Sequence, residues 1–353
     1  MAADTRLTEL LDIVVKEGGS DLHIFAGGSP MLRVSGSLIS LDKYPPFTNK
    51  ETEAMLQSIV PAHRWNTFQE DQTIDLSYAH KTDARFRING YRAQGATALA
   101  LRLIPRAIRS FAELNLPSIL EVFTQREQGF FLVVGPVGQG KSTTLATMLD
   151  RINDSRAEHI LTIEDPIEYL FTPKKSLIHQ REVHIDVSDF HTALQGAFRE
   201  DVDVIMVGEM RDYETISSAV TASETGHLVL STLHTNNAAQ TIDRIIDMFP
   251  AEQQAQVRVQ LSGSLIGIFS QRLIPRISGG LVPAYELLIN NNAVGTLIRD
   301  GRTHEINSVI QTSSQEGMID MDRSLAELVR RGEVTVEHAY EHALDQKTFE
   351  RYL

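Results

Sequence analysis

The spacing of apolar residues divides the chain into two parts with different patterns. In residues 1–105, short segments alternate between apolar and polar positions, which is typical of strands with one buried face. The predicted strands are Leu22–Phe25, Met31–Val34, Leu38–Ser40, Thr73–Tyr78, Arg85–Tyr91 and Thr97–Ile104. Together with helical stretches, they predict an antiparallel sheet with helices on one side, an α+β domain.

Two helices are predicted within this first part. Leu7, Leu10 and Val14 follow helical spacing, and a Gly-Gly pair ends that helix. Thr48 and Glu51 have the spacing of a capping box, which opens a helix that runs through Ile59. A second glycine signal, Asn89-Gly90, lies inside a predicted strand, where the alternation of apolar residues favours a bulge over a turn.

The pattern changes after the segment from Pro105 to Pro117, and residues 106–118 are expected to form a linker. Beyond it the strands are wholly apolar, as buried parallel strands are. The predicted strands are Phe130–Val134, Ile160–Ile163, Val202–Val207 and Leu228–Ser231, with helical stretches between them. This alternation predicts a parallel α/β core. From about Ala251 the pattern is mostly helical, with one strand at Pro283–Leu288.

Composition narrows the class of protein. Apolar residues make up 42% of the 353, which is enough to bury a core and excludes wholesale disorder. The net charge of −13 argues against general nucleic-acid binding, because phosphates require a basic surface. The chain has no cysteine, which excludes disulfides, zinc ribbons and thiol nucleophiles. No apolar run approaches the ~20 residues of a membrane span, and Asp4 and Arg6 interrupt any signal peptide. We therefore expect a cytoplasmic protein without direct membrane insertion.

The strongest chemical motif follows the first apolar strand of the second part. The residues from Gly135 to Ser142 match G-x-x-x-x-G-K-[ST], a phosphate-binding loop, and a helix is predicted directly after them. Backbone N–H groups wrap the phosphates, Lys141 reaches the β- and γ-phosphates, and Ser142 can ligate Mg²⁺. The candidate residues for binding ATP are Gly135, Pro136, Val137, Gly138, Gln139, Gly140, Lys141, Ser142 and Thr143.

Acidic residues follow two other predicted strands. Glu209 comes just beyond the strand ending at Val207, at the sheet edge where ligands bind in parallel α/β folds. It could hold Mg²⁺ or orient the water around it. Glu164, Asp165 and Glu168 follow another strand, and Glu164 is the better candidate for polarising the attacking water because it comes first. These residues alone leave the choice among the three acids open.

Two histidines bracket the apolar strand Leu228–Ser231. His234 follows it, on the same predicted edge as Glu209 and Glu164, and could donate a hydrogen bond to a γ-phosphate. His227 precedes the strand, and a capping or packing role is an equal alternative there. A zinc site would need a third ligand clustered with these two.

Residues 84–110 invert the charge of the chain locally, since they include six arginines and no acid. The arginines are Arg85, Arg87, Arg92, Arg102, Arg106 and Arg109. Three explanations remain open: fingers that stabilise charge on a neighbouring subunit's nucleotide, a nucleic-acid-binding strip, or ion pairs with acids elsewhere.

Taken together, these motifs resemble the type IV pilus retraction ATPases of the PilT/PilU family, within the secretion ATPase superfamily. The resemblance covers nearly the whole chain. It is carried by the P-loop and by the segments Gly19–His23, Ala84–Asn89, Ile163–Glu168, Gln180–Val183, Leu194–Asp201, Val207–Asp212, Glu224–His227, Thr232–Thr235, Asp243–Pro250 and Ala293–Asp300.

The resemblance implies a PAS-like domain over residues 1–105, a linker over 106–118 and a RecA-like ATPase domain over 119–353 with a helical C-terminal region. It implies a homohexamer that binds ATP and Mg²⁺ between one subunit's core and the next subunit's N-terminal domain. The resemblance implies that Glu164 is the general base and that Glu209 is the Walker B acid. It also implies that Glu209 and Ser142 bind Mg²⁺. His227 and His234 form the His box, and Arg85, Arg87 and Arg102 are the candidate trans fingers.

The family's activity is ATP hydrolysis that powers pilus retraction and twitching motility at the cytoplasmic face of the inner membrane. The resemblance implies an inner-membrane platform protein and a paralogous retraction ATPase as partners. Alternatives are an accessory retraction ATPase of the PilU kind and a pilus-assembly or type II secretion ATPase.

Two segments of the chain depart from the family's sequence pattern. Gln139 replaces a small residue, and we expect its side chain to point outward, while Gly295 and Thr296 replace Arg and Asn in the segment linked to retraction.

Overall fold

The computed structural model describes residues 3–34, 36–81, 84–104 and 107–353. They form two compact units, one of Met1–Ala107 with Asp165–Leu170 and one of Ile108–Glu164 with Phe171–Leu353. The expected boundary at Pro105 and the candidate Arg106 lie outside the described residues. Of the segment expected to be a linker, residues 108–118 belong to the second unit, where Phe111 and Leu116 are buried.

The first unit is built on a six-stranded antiparallel sheet with the order β3-β2-β1-β6-β5-β4. Its strands are β1 (Asp21–Phe25), β2 (Met31–Val34), β3 (Ser37–Ser40), β4 (Thr73–His80), β5 (Ala84–Ala93) and β6 (Ala96–Ile104). Its helices are α1 (Ala3–Lys16), α2 (Asn49–Ile59) and α3 (Trp65–Asp71), with a 3₁₀ turn at Ala62–Arg64. The predicted α+β class is confirmed.

Local sequence explains the start of α2. The Thr48 side chain accepts from the Glu51 N–H, and the Glu51 carboxylate accepts from the Thr48 N–H, so the predicted capping box is present. The predicted bulge at Asn89-Gly90 is wrong, because β5 pairs with β4 and β6 in unbroken register. Gly90 instead makes room for helix α2, since a Cβ there would lie 2.5 Å from Cδ1 of Leu56.

The second unit contains a seven-stranded sheet with the order β13-β12-β7-β11-β10-β8-β9. Its strands are β7 (Gly129–Val134), β8 (His159–Glu164), β9 (Leu177–Glu182), β10 (Val204–Val207), β11 (Leu228–Leu233), β12 (Leu265–Pro275) and β13 (Leu281–Ile289). Adjacent strands are parallel except β13, which is antiparallel to β12. The predicted parallel α/β core is therefore confirmed.

Helices cover both faces of this sheet. They are α4 (Leu120–Thr124), α5 (Lys141–Ser155), α6 (Phe190–Ala197), α7 (Tyr213–Glu224), α8 (Ala238–Asp247), α9 (Ala251–Ser264), α10 (Asn292–Asp300), α11 (Ile306–Thr312), α12 (Met321–Arg330), α13 (Val336–His342) and α14 (Gln346–Tyr352). Short 3₁₀ turns occur at Thr303–Glu305 and Ser314–Glu316. One apolar core contains residues of α4 and α5, and the core on the other face contains residues of α6 to α11.

The predicted helical pattern from Ala251 is correct for α9 but misses β12. The strand begins at Leu265, directly after Ser264 ends the helix, so no turn residue separates the two. Its polar residues Gln271 and Arg272 also interrupt the apolar run expected of a central strand. Within the part of the chain that the structure describes, no helix is long and apolar enough to cross a bilayer.

Candidate nucleotide site

The P-loop connects the fully buried strand β7 to helix α5. Gly135, Gly138 and Gly140 have φ values of 143°, 79° and 78°, which residues with a side chain rarely adopt. Gly140 occupies the N-cap position, and α5 begins at Lys141. The loop is therefore a strand-to-helix turn whose backbone N–H groups lie at a helix N-terminus, the arrangement that binds phosphate.

The candidate residues of the loop differ in exposure. Lys141 is buried, with 7% of its surface exposed, whereas the Val137 side chain is 80% exposed. Pro136, Gln139, Ser142 and Thr143 are half-buried. The predicted phosphate-contacting groups thus lie together on one loop, with the lysine turned inward.

Lys141 bonds to its own loop and to His234. Its Nζ donates to the carbonyl oxygens of Gly135 (2.8 Å) and Pro136 (2.9 Å) and lies 3.2 Å from Nδ1 of His234. Since an ammonium can only donate, Nδ1 is the acceptor and a neutral His234 ring carries its proton on Nε2. His234 therefore contacts the P-loop lysine, and its role at a γ-phosphate stays a prediction.

The surroundings of His234 disfavour the charged form of its ring. Burial lowers the pKa of its imidazole below 6.5, and the nearby positive charge of Lys141 lowers this pKa further. The carboxylate of Glu209 opposes this shift, with Oε2 3.8 Å from Nε2 of the ring. His234 therefore stands between the P-loop lysine and the acid that follows β10.

Hydrogen bonds of Gly208, the residue before Glu209, join three neighbouring strands. The Gly208 N–H donates to the Ile163 carbonyl at 2.8 Å, and the Thr232 hydroxyl donates to the Gly208 carbonyl at 2.7 Å. The Glu209 carboxylate also pairs with Arg211. Its side chain is 17% exposed, so the acid is accessible at the edge of the sheet where β10 ends.

Glu164, the last residue of β8, is more deeply buried, with 6% of its surface exposed. Its Oε1 accepts from the Thr162 hydroxyl at 2.7 Å and from the Gln180 side-chain amide at 3.2 Å. The two bonds fix the carboxylate at the same strand-end edge as Glu209, because β8 and β10 are parallel neighbours. The acids Asp165 and Glu168 fall instead in the segment grouped with the first unit.

The donor groups at this edge suit Mg²⁺. Ser142 offers a hydroxyl in the first turn of α5, and Glu209 offers a carboxylate beyond β10. Mg²⁺ prefers oxygen ligands and usually takes the remainder from nucleotide phosphates and water. Among the residues that the structure describes, no group of three or more His, Asp or Glu could hold a metal ion by itself.

A pair of glutamines at this site was not found from the sequence. The Gln139 side chain does not point outward as expected, because its Oε1 accepts from the Leu273 N–H of β12 at 2.6 Å. The buried Gln271 amide donates to the Gln139 carbonyl at 2.7 Å and accepts from the Thr144 hydroxyl at 2.7 Å. The unusual residue at position 139 was the available signal for this contact. Because strand β12 was not predicted, the sequence did not show which residue Gln139 would bind.

His227 is not brought to the P-loop within its unit. It precedes β11, and His234 follows it, so the strand of six residues separates them by about 20 Å. The His227 Nδ1 lies 3.0 Å from the carbonyl of Ala222, and its ring packs edge-on against Phe198. This contact matches the capping alternative, and a role at the nucleotide stays a prediction.

The candidate finger arginines lie on β5 and β6 of the first unit. Arg85 donates to the Ser77 hydroxyl, Arg87 donates to Glu168 at 3.3 Å, and Arg102 donates to Asp21 at 2.8 Å. Arg87 and Arg102 are directly opposite in the β5–β6 register. The acid-pairing alternative is thus observed for Arg87 and Arg102, whose side chains remain 40% and 70% exposed.

A P-loop at the strand ends of a parallel sheet, with acids after two neighbouring strands, defines a P-loop ATPase. Residues 66–341 match the family model described as type II/IV secretion system protein. The chain belongs to this family.

Relatives and solved structures that match nearly the whole chain include the following three. The chain is 44% identical to the type IV pilus retraction ATPase PilT of Pseudomonas aeruginosa, over 97% of this chain and 99% of that protein. It is 37% identical to the type IV pilus ATPase PilU of the same organism, over 95% and 88% of the two chains. A crystal structure of the pilus retraction motor PilT with bound ADP superposes with a TM-score of 0.89, covering 98% of each chain. These matches confirm the predicted family and fold.

Proposed function

We propose that this chain is an ATPase motor that hydrolyses ATP with Mg²⁺ to power type IV pilus retraction. The observation that carries the proposal is the convergence of Lys141, His234 and Glu209 at one edge of the parallel sheet. The 44% identity to PilT, over nearly all of both chains, supports the assignment to retraction.

Each residue of the site has its own role in the proposed hydrolysis of ATP. The P-loop N–H groups and Lys141 bind the phosphates, while Ser142 and Glu209 supply oxygen ligands for Mg²⁺. Mg²⁺ when bound neutralises charge on the transferring phosphoryl group. Glu164 orients and deprotonates the attacking water, helped by donors from Thr162 and Gln180 that hold its carboxylate in place. His234 offers its Nε2–H to the γ-phosphate.

The proposal includes a homohexamer in which Arg85, Arg87 and Arg102 act on the neighbouring subunit's nucleotide. The exposure of the Arg87 and Arg102 side chains supports this role, because an exposed ion pair contributes little and can be exchanged for a phosphate. The partners proposed are an inner-membrane platform protein and a paralogous retraction ATPase. The motor would then work at the cytoplasmic face of that membrane.

An accessory role of the PilU kind is the second candidate, favoured by the 37% identity to PilU over most of both chains. An accessory ATPase would support retraction only beside a second motor. Deleting the gene in a strain with and without the paralogue separates the two roles. Retraction lost with the paralogue still present indicates the principal motor.

The biochemical test combines turnover with size. Purified protein is assayed for phosphate release with ATP and Mg²⁺, with ATP and EDTA, and as Lys141→Ala, while light scattering gives the mass. We expect Mg²⁺-dependent turnover that Lys141→Ala abolishes, and a mass about six times that of the chain. A monomer without ATPase activity would overturn the proposal.

A further inference from the structure

The P-loop occupies a place beside β12 that a neighbouring strand would otherwise fill. Parallel pairing of β12 with β7 ends at Ser270 and Val134, where β7 turns into the P-loop. The next residues of β12 continue beside the loop, and no strand among the described residues pairs with that edge. The Leu273 N–H nevertheless has an acceptor, because Oε1 of Gln139 lies 2.6 Å away.

Gln271 of β12 makes a second set of hydrogen bonds to the P-loop region. Its side-chain amide donates to the Gln139 carbonyl and accepts from Thr144 on α5, so one buried residue contacts both the loop and the helix after it. The packing is tight, since a Cβ on Gly135 would lie 2.4 Å from the Gln271 carbonyl oxygen. The loop therefore lies close against β12 at Gly135 and is hydrogen-bonded to it at Gln139, and Gln271 also binds the helix that follows.

We propose that Gln139 is a positioning residue, which together with Gln271 fixes the P-loop against β12 before the nucleotide binds. This inference rests on the proposed ATPase function and deepens it. A phosphate is bound by several backbone N–H groups at once, so a loop that must first be ordered binds it more weakly. Gln139 reaches the strand with its side-chain oxygen, which a small residue at this position cannot do.

The contacts of Gln139 and Gln271 with the P-loop, β12 and α5 form what we call the glutamine clamp. Strand β12 places this clamp next to the C-terminal helices. Side chains alternate along β12, so Gln271 and Leu273 face the P-loop while Arg272 faces the opposite side. The Arg272 guanidinium donates to the His342 carbonyl at the end of α13, at 2.8 Å. Strand β12 is thus bonded to the end of α13 through Arg272, and Gln139 connects the P-loop to this strand.

Gln139→Met tests the clamp, because methionine has nearly the same length but offers no comparable acceptor. We expect the Leu273 amide to exchange hydrogen about fivefold faster in the nucleotide-free protein, and the Kd for ADP to rise about fivefold. The KM for ATP should rise by a similar factor with kcat changed less than twofold, since Glu164 and Glu209 lie on other strands. Gln139→Glu keeps an acceptor and should restore protection of the Leu273 amide.

Gln311→Met is the matched control, because Gln311 is exposed on α11 and the same change there should alter neither quantity. Gln271→Leu removes the second half of the clamp and should weaken ADP binding in the same direction. Unchanged ADP affinity in Gln139→Met would overturn the inference, and so would unchanged exchange at Leu273. Wild-type protein that binds no nucleotide would instead refute the proposed function, while the exchange measurement would still report whether the clamp exists.

Discussion

The Nζ of Lys141 lies 3.2 Å from Nδ1 of His234, so the P-loop lysine is held by a residue that follows β11. The same ammonium donates to two carbonyl oxygens of its own loop. An incoming phosphate must therefore compete with these acceptors for the lysine. These contacts hold the ammonium at the P-loop, where the phosphate charge is expected to lie.

Removing this cation should abolish turnover. In Lys141→Ala no ammonium remains to stabilise charge on the transferring phosphoryl group, and we expect the rate to fall by at least about 100-fold. Phosphate release measures the loss, and circular dichroism checks that the variant is folded. Turnover within a few-fold of wild type would contradict the assigned role.

The two candidate acids should respond differently to the loss of charge. Glu164→Gln should lower kcat by about 100-fold or more with ADP binding retained, because the buried carboxylate acts on the attacking water. Glu209→Gln should mainly raise the Mg²⁺ concentration needed for half-maximal activity. A Mg²⁺ titration of both variants makes the comparison, and the reverse pattern would exchange the two roles.

His234 should titrate below its ordinary range. Burial and Lys141 lower its pKa from 6.5, so the folded protein disfavours the charged ring, and stability should fall as the pH drops through the lowered pKa. Nuclear magnetic resonance of the imidazole gives the value directly. In Lys141→Met the pKa should rise, because one of the causes of its depression is removed. A wild-type pKa at or above 6.5 would disagree with this geometry.

Glu286 should make stability depend on pH in the opposite sense. This carboxyl group on β13 is 3% exposed, accepts from the Ala238 N–H at 2.7 Å, and has its pKa raised by burial from 4.5 to about 7. The folded state favours the protonated form, so stability is full below pH 4.5 and is lost as the pH rises through 7, by about 3 kcal/mol in total.

Glu286→Gln keeps an oxygen acceptor for Ala238 but cannot ionise. We therefore expect a higher free energy of unfolding than wild type at pH 8 and little difference at pH 5. Urea unfolding of both proteins at the two pH values measures this. An equal pH dependence in the two proteins would show that Glu286 is not the titrating group.

Gly90 offers a test of the packing in the first unit. Gly90→Ala places a methyl group 2.5 Å from Leu56, a fully buried residue of α2, and should destabilise this unit by about 1–3 kcal/mol. Gly263→Ala is the control, since that glycine lies in α9 with open space around its Cβ position. The control should be neutral or slightly stabilising, because alanine is the better helix former. Equal thermal midpoints for the two variants would contradict this packing.

The sequence predicted those parts of the site that depend on local signals. The apolar run before Gly135 and the P-loop motif identify β7, the loop and α5, and the strand ends at Val207 and Ile163 place Glu209 and Glu164 at one edge. Parallel strands buried on both faces are apolar throughout, so they stand out in the sequence. The same reasoning placed His234 at this edge, but its bond to Lys141 was not predicted.

The missed features depend on contacts between distant segments. Leu265 follows α9 without a turn, and the polar side chain of Gln271 bonds to Gln139 and Thr144, more than 100 residues earlier. Periodicity carries no information about such pairs. The bulge expected at Gly90 failed for the same reason, since Leu56 on another element explains that glycine.

Strand β12 also predicts how the chain tolerates changes in length. Side chains alternate along a strand, so inserting one residue after Ser270 would exchange the faces of everything that follows. Gln271 would turn away from Thr144 and Arg272 would turn toward the P-loop, which would remove the glutamine clamp and bring in a guanidinium. Natural variation in this family should therefore include substitutions along β12 but exclude single-residue insertions and deletions there.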